Sequence, residues 1–141
     1  MNESIEKPKV YFVYPDLEAE RGEFERVAQT FSIDDSVLMF QAQNGELVDL
    51  DDVIWNQLEN TDSNRFDVGD WDTAARFATE AKRDYLDLKD KLERNVKLDA
   101  PIIMQHDTKY HLVSGNTRLM VSKALGITPK VLLFEVDMQN L

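Results

Sequence analysis

The chain contains no cysteine. Disulfides, thiolate metal sites and cysteine nucleophiles are therefore excluded together. Glycine and proline are scarce, with five and four among 141 residues, while 43% of the side chains are hydrophobic. A chain of that composition is expected to fold around a core. Also missing is any apolar run approaching the roughly 20 residues of a membrane span. The opening Met-Asn-Glu-Ser-Ile-Glu-Lys-Pro has neither a basic start nor an apolar stretch, so it is not expected to act as a signal peptide. A cytoplasmic protein is the resulting expectation.

Basic charge is the other shortage. Lysine and arginine number 16 against 27 acidic residues, for a net charge of −11. The imbalance is concentrated in the first half: residues 1–65 carry 15 acidic and 5 basic side chains, and residues 66–141 carry 12 and 11. Binding along DNA depends on neutralising phosphates with Lys and Arg, so DNA binding by the whole surface is not expected. A local pocket for an anion in the nearly neutral second half remains open. Solubility by itself would also account for the acidity.

Lys9 to Tyr14 is β-branched and aromatic and reads as a strand ending at Pro15. Asp16 is placed to cap a helix with Leu17, Phe24, Val27, Ala28 and Phe31 on one stripe. Val37–Gln43 and Glu46–Leu50 flank Asn44-Gly45, a strong hairpin signal, and predict two paired strands. Asp51 or Asp52 would start a short helix through Val53, Ile54, Trp55 and Leu58. Residues 59–67 are polar and read as a loop. One long helix is predicted from Trp71 to about Arg94, with Trp71, Ala74, Ala75, Ala78, Tyr85, Leu88 and Leu92 inward and pairs such as Asp87 with Lys91 outside. Trp55 and Trp71 lie on these apolar stripes and read as core.

The last third is the clearest. Pro101–Gln105 and Tyr110–Val113 form a predicted hairpin across His106–Lys109. Ser114–Arg118 then leads into a helix that Gly126 ends, as a left-handed residue does. Lys130–Val136 is a final strand. The elements are segregated rather than alternating, which makes the fold class α+β.

The loop Ser114-Gly-Asn-Thr-Arg118 has the chemistry of an anion site. A helix N-terminus exposes N–H groups and partial positive charge. Gly115 would admit a close backbone approach. Ser114, Asn116 and Thr117 add side-chain donors, and Arg118 adds a planar fork suited to phosphate. The same residues would also serve as an ordinary cap and a solvent-facing first turn, and local chemistry does not separate these readings.

Pro101-Ile-Ile, Tyr110-His-Leu-Val-Ser-Gly-Asn-Thr-Arg118, the Ala124-Leu-Gly helix end and Pro129-Lys-Val-Leu-Leu-Phe134 together resemble the ParB/sulfiredoxin superfamily. The resemblance spans roughly residues 46–137 and is specific over 99–137. It implies a small mixed sheet with packed helices over residues 46–141. Residues 1–45 match nothing in that pattern and are expected to be an acidic α/β extension forming one compact unit with it. In that superfamily a Gly-x-x-Arg turn cradles nucleotide phosphates, CTP in ParB proteins and ATP in sulfiredoxin-related kinases. The resemblance thus implies a nucleotide site, with Mg²⁺, at Ser114, Gly115, Asn116, Thr117 and Arg118. Asn64-Arg65 is similar to the family's Asn-Pro-Arg segment and would supply a second positive charge. Phosphotransfer or hydrolysis would follow if a carboxylate, with Asp62 and Asp99 as the candidates, held a metal or accepted a proton. The resemblance points to a bacterial or phage protein, in the bacterial or host cytoplasm.

The departures from the pattern carry information. Asn116 stands where ParB proteins usually carry Glu, and an amide cannot act as a base. Sulfiredoxins need a cysteine in this turn, so that activity is excluded. No helix-turn-helix follows the match, so a partition clamp is not expected. A second reading is a small acidic regulatory module with an inactive nucleotide turn, its carboxylates covering a basic protein partner. A homodimer stays open. His106 and His111 flank the hairpin and are expected to point to different places. No metal site is assigned there or at Asp51-Asp52, whose carboxylates suit a helix start.

Overall fold

A computed structural model of the chain describes residues 12–80, 84–94 and 96–137. Two sheets organise it. The larger has four strands in the order β2 (Glu46–Asp49), β6 (Lys130–Val136), β4 (Ile102–His106) and β5 (Lys109–Ser114). β6 pairs antiparallel with β2 and parallel with β4, while β4 and β5 form the expected antiparallel hairpin. The smaller sheet joins β1 (Phe12–Val13) in parallel to β3 (Leu98–Asp99). Residues 9–11 of the predicted first strand lie outside the described residues, and β3 was not foreseen.

The large sheet is covered on both faces, which is why its central strands read as nearly unbroken apolar runs. Ile102, Met104, Leu132, Phe134 and Val136 face α1 (Arg21–Phe31) and α2 (Asp35–Gln43), packing with Phe24, Val27, Leu38 and Ala42. Ile103, Leu112 and Val131 face the other way, onto Trp55 of α3 (Asp52–Gln57) and Leu119 of α6 (Asn116–Ala124). Burying such side chains contributes about 1.5–3 kcal/mol each. The α1 and α2 segment shares this core with the strands.

Two predicted elements are corrected. Val37–Gln43 is not a strand: α2 occupies it, started by Asp34, whose side chain accepts from Ser36 N at 2.9 Å. Leu38, Met39 and Ala42 are buried at helical spacing. Asn44-Gly45 therefore ends a helix, with Gly45 N donating to Ala42 O at 3.0 Å. Gly45 is also pressed against β6: a Cβ there would lie 2.8 Å from Leu133 O. Gly45→Ala is accordingly expected to destabilise the fold by about 1–3 kcal/mol, as overpacking does, seen as a lower urea midpoint at unchanged slope.

The second correction concerns the long helix. It is two, α4 (Trp71–Glu80) and α5 (Tyr85–Glu93). Residues 81–83 of the predicted helix lie outside the described residues, and Asp84 starts α5 by accepting from Asp87 N at 3.1 Å. The inward stripe survives the break: Ala74, Ala78 and Leu92 are buried, and Trp71, Tyr85 and Leu88 pack against the core partly buried. Asp87 pairs with Lys91 at 2.9 Å. Asp51 caps α3 through Ile54 N at 2.9 Å, and Gly126 closes α6 with φ 71°. Asp16 caps a single 3₁₀ turn, Glu18–Glu20, that precedes α1. No helix of the described residues is long and apolar enough to cross a membrane.

Candidate functional site

β5 ends at Ser114 and the chain turns into α6 through Gly115, at φ 106° and ψ 21°. Two constraints fix glycine here. The backbone is left-handed, and a Cβ would sit 2.6 Å from the Pro101 Cβ. Pro101, just before β4, thus forms the wall against which the turn is folded. Gly115 is the N-cap residue of α6 and no side chain caps the helix. A cap by Asn116 or Thr117, one of the two readings these residues allowed, is not made, and the turn is bare backbone. Leu119 N makes the first helical bond, to Gly115 O at 3.0 Å. The N–H groups before it have no helical acceptor, as at any helix start.

This turn opens onto a cavity of about 620 Å³, lined by residues 112–118 on one side and Glu20, Glu23 and Arg26 on the other. Volumes of that size suit small-molecule ligands. Arg118 lies at its inner edge with 15% of its side chain exposed. One guanidinium nitrogen donates to the backbone carbonyl of Asp99. The other reaches Ser114 Oγ at 3.2 Å and Glu20 Oε1 at 3.4 Å. Burial pulls the Arg118 pKa below its ordinary value, while the negative charges of Glu20 and Asp99 act against that pull. Ser114 Oγ also donates to Glu20 Oε2 at 2.7 Å. A carboxylate from the first helical segment therefore touches both the hydroxyl and the guanidinium of the turn.

Asn116 also lines the cavity, but its amide is engaged by the neighbouring connector. Its Oδ1 accepts from Thr61 Oγ1 at 2.8 Å and from Asp62 N at 2.9 Å, and its Nδ2 donates to Asp62 Oδ2 at 3.1 Å. The amide fastens α6 to the 3₁₀ turn Asp62–Arg65. Beneath that junction Trp55 Nε1 donates to the buried Ser63 Oγ at 2.8 Å, and Lys123 Nζ donates to Ser63 O at 2.6 Å. The polar run 59–67 is thus a wired connector. Thr117 lines the cavity beside Gly115.

The remaining candidates are dispersed. Asp62 pairs with Arg65 at 3.3 Å. Arg65 lies over the Phe77 ring, 4.2 Å from its centroid, in a separate cleft of about 440 Å³. The Asp99 carboxylate accepts from Asp16 N at 3.0 Å. Asp62, Arg65 and Asp99 do not line the cavity that holds Gly115–Arg118. Four residues that do line it, Glu20, Glu23, Arg26 and Asn60, had no signal in the sequence. Arg26 donates to Val113 O at 3.0 Å and to Glu23 at 3.1 Å. Asn60 brackets Leu112, donating to its carbonyl and accepting from its N–H, each at 2.8 Å. That amide completes the open edge of β5 as an added strand would.

His106 and His111 do not point apart. Both lie on the α1 face of the hairpin, and their rings pack on Phe31 at centroid distances of 4.8 and 5.0 Å. Among the described residues no group of three or more His, Asp or Glu side chains is placed to hold a metal. The pKa of His111 is lowered by burial, with Arg26 and His106 adding to the effect and Glu59 opposing it. The unfolded chain thus binds this proton more tightly than the folded one. Stability is fully present above the ordinary value of 6.5 and declines as pH falls below it toward the lowered folded value. Urea titrations between pH 7 and 5 should show that decline, and His111→Gln should flatten it.

Comparison with known proteins yields no matching family model, no matching characterised protein and no matching solved structure.

Proposed function

We propose that this chain is a nucleotide- or phosphate-binding domain in which the turn Ser114–Arg118 holds the phosphate. The observation that carries the reading is a single juxtaposition. An uncapped helix N-terminus, a left-handed glycine and a largely buried guanidinium share one cavity of about 620 Å³. The backbone of Gly115–Thr117 would cradle phosphate oxygens and Arg118 would neutralise charge. The resemblance of residues 99–137 to the ParB/sulfiredoxin pattern agrees with this assignment and suggests ATP or CTP, with Mg²⁺.

Asp62 and Asp99 stay outside the cavity, and Asn116 is committed to the connector. The reading is therefore one of binding rather than bond cleavage. One observation favours the acidic regulatory module instead: Glu20 already satisfies Arg118 and Ser114. In that reading the site is permanently filled and the acidic first half meets a basic protein.

Thermal unfolding with ATP, CTP, GTP or pyrophosphate, each with and without Mg²⁺, tests the first reading. A ligand near 100 times its Kd stabilises by about 2.7 kcal/mol, well above detection. At least one of these should raise Tm. A flat result for all of them would remove the nucleotide reading and leave the regulatory one.

A further inference from the structure

We propose that Glu20 is an internal gate on the phosphate turn, a carboxylate that occupies the anion's place and must leave before a ligand can enter. The inference rests on the phosphate reading given above. Glu20 comes from the first half of the chain, 94 residues before Ser114 and 98 before Arg118 in sequence. It stands where the 3₁₀ turn gives way to α1, with φ −101° and ψ 12°, outside the helical region. From there its two carboxylate oxygens divide between two side-chain donors of the turn, Oε2 on the Ser114 hydroxyl and Oε1 on the Arg118 guanidinium. Two oxygens on a serine hydroxyl and an arginine fork reproduce what a phosphate would present to them.

The charge of the lining agrees. Its two cations, Arg26 and Arg118, face two carboxylates, Glu23 and Glu20, and Arg26 is already paired with Glu23. With Glu20 in place the cavity offers an incoming anion no uncompensated cation. With Glu20 withdrawn, Arg118 keeps its anchor on the Asp99 carbonyl, so the guanidinium stays positioned while its outer face is freed. Contacts of this strength hold a two-state element to the closed side, and ligand affinity falls by the fraction of molecules that are open. Glu23 is a control of the same charge in the same cavity, bonded to Arg26 instead of to the turn.

The test is calorimetric titration of pyrophosphate and of Mg-ATP into wild type, Glu20→Gln, Glu20→Asp and Glu23→Gln. Removing a charge-assisted contact predicts that Glu20→Gln binds about ten- to a hundredfold tighter than wild type. Glu20→Asp keeps the charge, shortens the reach and should fall between them. Glu23→Gln should change affinity by less than about threefold, the scale of a screened charge. Equal affinity of wild type and both Glu20 variants would overturn the gate while leaving the phosphate site standing. A similar gain in Glu20→Gln and Glu23→Gln would also overturn it, since general repulsion would then be the cause. No heat in any variant, with far-ultraviolet circular dichroism showing each one folded, would overturn the phosphate reading and the gate with it.

Discussion

Gly115→Ala should be the most damaging single-methyl substitution in the chain. Two independent penalties coincide at this position. The left-handed backbone, φ 106°, costs an L-residue roughly 1–2 kcal/mol. The new Cβ would also meet Pro101 Cβ at 2.6 Å and Pro101 Cα at 2.8 Å, and overpacking of this kind costs about 1–3 kcal/mol. Together they predict a loss of about 2–5 kcal/mol, a large share of a domain's total stability. Neither group can retreat easily, because Pro101 O accepts from Leu132 N at 2.8 Å and thereby ties that segment to β6. Urea denaturation read by tryptophan fluorescence would measure the effect as a lower midpoint. Gly126→Ala is the comparison: it is also left-handed, φ 71°, but meets nothing within 4 Å. It should lose only the backbone share, about 1–2 kcal/mol.

Arg118→Ala should have the second-largest effect, and it should act on stability and binding together. The truncation leaves the Glu20 carboxylate, only 21% exposed, without its cation and the Asp99 carbonyl without its donor. Hydrogen bonds to charged groups contribute about 1.5–3 kcal/mol each, and a deserted partner keeps its desolvation cost. A loss of about 2–3 kcal/mol in stability follows, together with loss of any ligand-induced rise in Tm. Adding Glu20→Ala should restore part of the stability, because the stranded charge is then gone. Binding should not return with it. A double-mutant cycle separates the two consequences: recovery of stability without binding marks Arg118 as the phosphate contact, and recovery of both would show that it is not.

The stretch from Pro101 to Val136 was legible because its apolar runs are punctuated by residues with one structural meaning. Pro101 precedes a strand, Asp107-Thr108 turns it, Gly126 ends a helix and Pro129 precedes the next strand. Val37–Gln43 was misread for a specific reason. A seven-residue, mostly apolar run fits period 2 and period 3.6 about equally, and Asn-Gly ends helices as well as turning hairpins. The cap at Asp34 was the cue that would have decided it. The break between α4 and α5 was hidden because a charged outer face runs through both helices without Pro or Gly.

The site was legible only as a turn. Gly115 and Arg118 could be marked as candidates from local chemistry, but where the Asn116 amide bonds depends on where the loop 59–67 lies, and no local pattern encodes that. Glu20 was invisible for the same reason: one of 27 acidic residues, it is singled out by folding against Ser114 and Arg118.

The most direct test of the proposed phosphate turn is an amide-resolved NMR titration of the uniformly ¹⁵N-labelled chain with pyrophosphate. The turn predicts saturable shifts centred on the N–H groups of Gly115, Asn116, Thr117 and Arg118, with accompanying shifts at Glu20 as its carboxylate is displaced. Shifts confined to other lysines and arginines, with residues 115–118 unmoved at saturation, would contradict it.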